Sequence, residues 1–193
     1  MFTLNRVLIV AFSLAFLSLY SMPNGSNIVS DNPTKESTST IFSYKLKNIY
    51  GDVITLDKFK GKKILIVNVA SHCGYTSQYI DLQKLQDRFK DKLQVIAFPC
   101  NDFGFQEPGT SKQIAEFCEV NYNIKFPIME KINIRRSPTH PLYEWLSNSE
   151  LNGWNDSKPK WNFYKYLIDE NGKLINLFNS GTSPLSTHIT EAI

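Results

Sequence analysis

Two apolar runs constrain this chain more than any other feature. Residues 63–70 read KILIVNVA and residues 93–98 read LQVIAF. Both are rich in β-branched residues and nearly free of polar ones, as strands buried on both faces are. Between them Tyr79, Leu82, Leu85 and Phe89 recur at spacings of three, three and four. That periodicity predicts a helix over 76–89, with Thr76 placed to cap it. A strand, a helix and a second fully apolar strand form a crossover unit, which sets the class as α/β.

The flanking segments extend this plan. Residues 42–46 alternate apolar and polar, Tyr50-Gly51-Asp52 makes a turn, and 53–56 returns, so an N-terminal β-hairpin is expected. Residues 111–121 read as a helix with Ile114, Phe117 and Cys118 on one face, and 140–148 as a short helix with Pro141 in its first turn. Residues 163–168 and 173–178 form two further strands, joined by Asp169-Glu170-Asn171-Gly172. A last helix is expected from Ser186. The sum is a central mixed β-sheet with helices on both faces.

The N-terminus reads as an address. Arg6 precedes an apolar run of 14 residues at 7–20, short of the roughly 20 that span a bilayer. Residues 1–21 are therefore expected to be a signal peptide, or else a membrane-anchor segment. An exported or secretory-route location follows, membrane-anchored or organellar in the second case, rather than a cytosolic one. Residues 22–40, rich in Ser, Thr, Asn and Pro, read as a flexible linker, and 41–193 as the domain. A formal charge of +3 gives no ground for nucleic-acid binding. Three cysteines without a C-x-x-C pair exclude a zinc ribbon. His72, His140 and His188 are scattered, so neither metal nor cofactor is expected.

Chemistry is concentrated at Cys73, in VNVASHCGYTSQY. It follows a buried strand and precedes a helix, where unpaired N–H groups favour thiolate over thiol. A thiolate there can attack a peroxide, a disulfide or an acyl group. Acyl transfer lacks a base: His72 adjoins the cysteine and reads as an exposed loop residue. Two more segments, and the spacing of Cys73 from both, narrow the choice: FPCNDFGFQEPGT (98–110) and WNF (161–163), supported by KFPIMEKI, HPLYEWL and WNFYKYLIDENG. In this order they resemble the glutathione peroxidase family from about Phe42 to the C-terminus.

The resemblance implies a thioredoxin-like fold, which the element order fits, and reduction of hydrogen peroxide and organic or lipid hydroperoxides. Cys73 would be the peroxidatic residue, forming a sulfenic acid, with Gln106, Trp161 and Asn162 completing the family's tetrad. Amide and indole N–H groups could orient the peroxide and stabilise developing charge. The resemblance further assigns Cys118 as resolving cysteine, forming a disulfide that thioredoxin reduces. Because a helical cysteine on an apolar face rarely meets disulfide geometry, the Cys118 helix is expected to unwind locally. Cys100 is expected to be buried and inert. Alternatives are a glutathione-dependent enzyme without an essential resolving cysteine, and a peroxide sensor that relays oxidation to a partner protein. The short stretch from Leu146 to Trp161 resembles the monomeric, phospholipid-hydroperoxide-reducing subgroup, with transient membrane-lipid contact. Two departures from the family stand out: Asp102 where Gln is usual, and Phe105 where a small or polar residue is usual.

Overall fold

The computed structural model describes residues 28–29, 36–37 and 39–193. The expected address segment 1–21 and most of the expected linker lie outside the described residues. In chain order the elements are β1 (Ile28–Val29), β2 (Lys45–Lys47), β3 (Val53–Thr55), β4 (Lys63–Val69), α1 (Gln78–Arg88), β5 (Leu93–Pro99) and α2 (Ser111–Tyr122). There follow α3 (Pro141–Leu146), α4 (Ser149–Asn152), β6 (Lys165–Ile168), β7 (Leu174–Phe178) and α5 (Thr187–Thr190). The main sheet has the order β1-β7-β6-β4-β5, and β2 and β3 form a separate hairpin. Among the strands of the described residues, β4 and β5 pair in parallel and the other strand pairs are antiparallel. This is the expected thioredoxin-like arrangement, with one addition. Ile28 and Val29, inside the stretch read as linker, pair with Leu177 and Asn176 at the sheet edge.

Alternation along the strands divides the core in two. Ile64, Ile66, Ile96 and Phe98 face one cluster with Leu142, Tyr143, Trp145 and Leu146 of α3. Leu65, Val67, Val69, Val95 and Ala97 face the other with Tyr79, Leu82 and Leu85 of α1 and Ile114 and Cys118 of α2. Helices therefore cover both faces, which is why the two diagnostic runs read as continuously apolar.

Two local expectations change. Residues 41–43 form a 3₁₀ turn, and the first hairpin strand begins at Lys45. The Ile41 N–H donates to the Gly172 carbonyl (3.0 Å), so tertiary contact with the second hairpin overrides the local alternation. Thr76 does not cap α1, whose N-cap is Ser77 without a side-chain bond. The Thr76 hydroxyl is committed to the Cys73 turn instead.

Topology explains why distant segments meet. Because β5 runs parallel to β4, with Val69 opposite Pro99, the loop after β5 leaves at the same edge as the Cys73 loop. Because β6 runs antiparallel to β4, with Val67 opposite Lys165, residues 161–164 enter the sheet at that edge too.

Candidate active site

The Cys73 turn is held by its own backbone and by Thr76. The Thr76 hydroxyl accepts from the Cys73 N–H (3.0 Å), and carbonyls of Ala70 (2.8 Å) and Cys73 (2.7 Å) lie within its donating reach. The Tyr75 N–H donates to Cys73 Sγ at 3.4 Å. Successive turns from Thr76 to Ile80 carry the chain into α1. Cys73 is 8% exposed, enough to be reached from outside while its turn packs on the core. His72 is exposed, as expected.

The β5–α2 loop is tied to this turn. The His72 N–H donates to the Gln106 carbonyl (3.0 Å). The Gln106 side chain accepts from Asn162 Nδ2 at 3.0 Å, and the Phe103 carbonyl lies 3.5 Å from the same nitrogen. With its oxygen occupied, the Gln106 amide has its N–H pair to offer elsewhere. Trp161 closes the group: a Cβ added at Gly104 would lie 3.2 Å from Trp161 Cη2 and 3.6 Å from Gln106 Nε2. The φ of +65° at Gly104 and this close approach both favour glycine. Phe103 meets the Trp161 ring edge-on at 6.3 Å. Asn162 is buried and Trp161 is 37% exposed. The structure thus brings the loops carrying Cys73, Gln106, Trp161 and Asn162 to one end of the sheet.

Several positioning residues escaped sequence reasoning. Asn68, fully buried in β4, donates through Nδ2 to the Trp161 carbonyl (3.0 Å) and accepts the Tyr164 N–H on Oδ1 (3.0 Å). Its carbonyl also accepts the Phe163 N–H (2.6 Å). These bonds hold Phe163 at a φ of +63°, which a bulky residue rarely adopts. The Ser180 hydroxyl donates to the Asn162 carbonyl. Lys165, also fully buried, donates to the Thr182 carbonyl (2.6 Å) and lies 3.3–3.4 Å from those of Ser180 and Asn179. Burial pulls its ammonium down to about 7. The signal is only partial: Lys63, Gln94 and Asn176 are equally polar members of the apolar strands, and Asn68 and Lys165 are the ones that the fold buries fully. Glu107 is 1% exposed, and burial raises its carboxyl despite the opposing influence of Ser71, Lys131 and His72. It lines a cavity of about 380 Å³ with Ser71, His72, Gln113 and Phe117, beside the Cys73 turn.

The cysteines separate by face. All three are free thiols. Cys118 is buried on α2 in the same cluster as Cys73. Burial pushes its thiol up to about 11, although the neighbouring Tyr79 hydroxyl pulls the other way. Cys100 lies in the opposite cluster, and burial pushes it up to about 12.

Asp102 neither lies at the surface nor faces Cys73. Its carboxylate accepts N–H groups from Ile134 (2.7 Å), Arg135 (2.8 Å) and Arg136 (3.2 Å), and pairs with Arg136 Nε at 3.3 Å. Burial would raise its pKa, but these donors outweigh it and hold the group below the usual carboxylate value. The cysteine it pushes upward is Cys100.

A cysteine at a strand-to-helix turn of a thioredoxin-like sheet, with the loops carrying Gln106, Trp161 and Asn162 at the same sheet end, is the frame of a thiol-based oxidoreductase. The glutathione peroxidase profile matches residues 41–147. Glutathione peroxidase-like peroxiredoxin 2 of Saccharomyces cerevisiae is 43% identical over 150 residues, 77% of this chain and 93% of that protein. Hydroperoxy fatty acid reductase gpx1 of Synechocystis is 40% identical over 159 residues, 78% and 93% of the two chains. The crystal structure of apo Trgpx aligns with a TM-score of 0.62 at 35% identity, covering 81% of this chain and 96% of that one. The chain belongs to the glutathione peroxidase family and is a peroxidase.

Proposed function

We propose that the protein reduces hydrogen peroxide and organic hydroperoxides through Cys73, with Cys118 as resolving thiol and thioredoxin as reductant. The observation that carries this reading is the junction of three loops: Cys73 tied through His72 to Gln106, and Gln106 tied to Asn162 beside Trp161. The thiolate sulfur attacks one peroxide oxygen and the O–O bond breaks. Cys73 becomes a sulfenic acid, and the departing alkoxide or hydroxide takes a proton to leave as alcohol or water. In this reading the N–H pair of the Gln106 amide and the Trp161 indole N–H stabilise that departing charge, while Asn162 holds the Gln106 oxygen. Cys118 then attacks the Cys73 sulfur, water leaves, and a disulfide forms. Exchange with a dithiol protein restores both thiols.

Support for Cys118 over Cys100 comes from the sheet. Cys118 shares a core with Cys73, whereas Cys100 lies across the strands and its N–H is bound to the Val69 carbonyl (3.1 Å). Cys118 stands near the end of α2, where its carbonyl accepts the Ile124 N–H (3.2 Å) and Asn123 is left-handed. Loosening this last turn exposes the thiol to water, where it ionises more readily than in the core. The names of the relatives are consistent with peroxiredoxin-type turnover and fatty-acid hydroperoxide substrates.

Cys118→Ser tests the scheme. Thioredoxin-driven turnover should fall at least about 10²-fold, and peroxide-treated wild type should yield a Cys73–Cys118 linked peptide by mass spectrometry. Full thioredoxin-driven turnover in Cys118→Ser, or oxidised Cys73 with Cys118 still free, would refute it.

A further inference from the structure

The loop that delivers Gln106 carries a feature that the peroxidase chemistry does not use. Phe105 is 70% exposed, although it stands one residue before Gln106 and one after the glycine on which Trp161 leans. Its φ is +55°, directly after +65° at Gly104. Two successive left-handed residues follow the pattern of a type I′ turn, where glycine or asparagine is favoured. A phenylalanine in this backbone is strained, and an apolar ring standing in water gains nothing from burial.

The ring is nevertheless fixed. The Arg136 guanidinium lies over it, 4.9 Å from its centroid. Arg136 is itself anchored by the Asp102 carboxylate, whose side chain is 1% exposed and which also binds three backbone N–H groups of 134–136. The neighbouring Arg135 lies 5.9 Å from the Phe103 ring, which also meets the Trp161 ring edge-on. Asp102 and Phe105, the two departures from the family pattern, therefore belong to one assembly: a buried acid holds an arginine, and the arginine holds an exposed ring at the rim beside Gln106 and Trp161.

We propose that Phe105, clamped by Arg136 and Asp102, is a specificity-determining shelf that receives the apolar body of an organic hydroperoxide. Such a substrate covers the ring while its O–O group enters among Gln106, Trp161 and Asn162. Hydrogen peroxide has no apolar body and gains nothing from the shelf. The ring is pre-positioned, so little side-chain freedom is lost when the substrate arrives. This inference rests on the peroxidase reading above; the test keeps the two apart.

The reduced full-length protein is mixed with hydrogen peroxide or with cumene hydroperoxide, and Cys73 thiol loss is followed by quenched alkylation and mass spectrometry, which needs no reductant. The readout is the ratio of the second-order rate constants for the two peroxides. Phe105→Gly should lower the cumene-to-hydrogen-peroxide ratio about tenfold, near the low end of what one apolar contact contributes to discrimination. Phe105→Leu should hold it within about threefold of wild type. Arg136→Met keeps the sequence of the Gln106 loop and the backbone N–H bonds to Asp102 while freeing the ring, so the ratio should fall in the same direction, and it serves as the test if Phe105→Gly does not fold. An unchanged ratio in the folded variants overturns the shelf, and so does a higher ratio in Phe105→Gly, which would make the ring an obstruction. If Cys73 of the wild type is not consumed by either peroxide, the peroxidase reading itself fails.

Discussion

Replacing Asn68 by leucine keeps most of the side chain's volume while removing a donor and an acceptor from the sheet end that carries Trp161. Two partners lose their bonds: the Trp161 carbonyl and the Tyr164 N–H, each now at 3.0 Å. A buried polar group left unpaired costs about 1–3 kcal/mol. Two such groups sum to about 2–6 kcal/mol, and because water can reach the partly exposed Trp161 segment the cost should fall in the lower half, about 2–4 kcal/mol. In a domain of this size each kcal/mol moves Tm by about 2–4 °C, giving a drop of about 5–15 °C. Urea and thermal unfolding measure it. Activity should fall further than stability implies, because Trp161 and Asn162 are positioned through this residue, and a displacement of about 1 Å at a reacting centre can cost 10²-fold in rate. Asn68→Asp is the informative partner. It keeps the acceptor for Tyr164 but points a carboxylate oxygen at the Trp161 carbonyl. That repulsion and burial raise the new carboxyl's pKa. Stability is then greatest at low pH, where the group is protonated and can donate, and is lost as pH rises through the folded pKa. If Asn68→Leu unfolds within about 0.5 kcal/mol of wild type and oxidises Cys73 at an unchanged rate, the argument that this asparagine sets the Trp161 segment is wrong.

Two further expectations concern the scaffold. Lys165 lies at about 7 in the folded protein because of its burial, against an ordinary 10.5. Between those values the unfolded chain binds a proton that the folded one lacks, so this residue's contribution to stability rises with pH from about 7 toward 10.5. Below about 7 both states are charged and the burial cost is felt in full. A whole proton corresponds to about 1.4 kcal/mol per pH unit, so Lys165→Met should remove up to that slope from urea unfolding energies recorded between about pH 7 and 9.5; parallel curves would contradict the assignment. Gly172 has a φ of +85°, and an added Cβ would lie 2.7 Å from the Phe42 ring, so Gly172→Ala should cost about 1–3 kcal/mol in thermal unfolding. Gly51 has a φ of +93° with nothing within 4 Å, so Gly51→Ala isolates the backbone strain and should cost less.

What could be read from residues alone follows from periodicity. β4, β5, α1 and α2 have strong apolar patterns, and each forms within two residues of its expected bounds. The short strand expected at 42–46 forms instead at Lys45–Lys47, because residues 41–43 turn to meet Gly172, which no local window contains. Thr76 fits a common cap pattern for α1, yet the Cys73 N–H takes the same oxygen. The candidate site residues are named by the order of their motifs and only partly by chemistry, since a lone Gln or Trp carries little signal. Asn68 and Lys165 share with Gln94 and Asn176 the pattern of a polar group in an apolar strand, and burial alone sets the first two apart. Their partners, the carbonyls of Trp161 and of 179–182, belong to backbone that becomes adjacent only once β6 pairs with β4.

That adjacency also bears on the chemistry. A one-residue slip of a strand would turn its side chains to the opposite face, so the alternation that builds the two cores also sorts the thiols. Cys118 can approach Cys73 by movement of α2 along one face. Cys100 would have to abandon its bond to Val69 and cross the sheet end. Burial holds both Cys100 and Cys118 in the protonated, unreactive form at neutral pH. The difference between them is what each must break to escape: for Cys118 the last turn of a helix, for Cys100 the register of the central parallel pair. Local opening draws on the weaker of two structures, and a helix end held by the Asn123 and Ile124 N–H groups is weaker than a central strand paired along its length. In the proposed scheme, therefore, the sheet acts on the resolving step chiefly by making one of two chemically similar thiols much harder to release than the other.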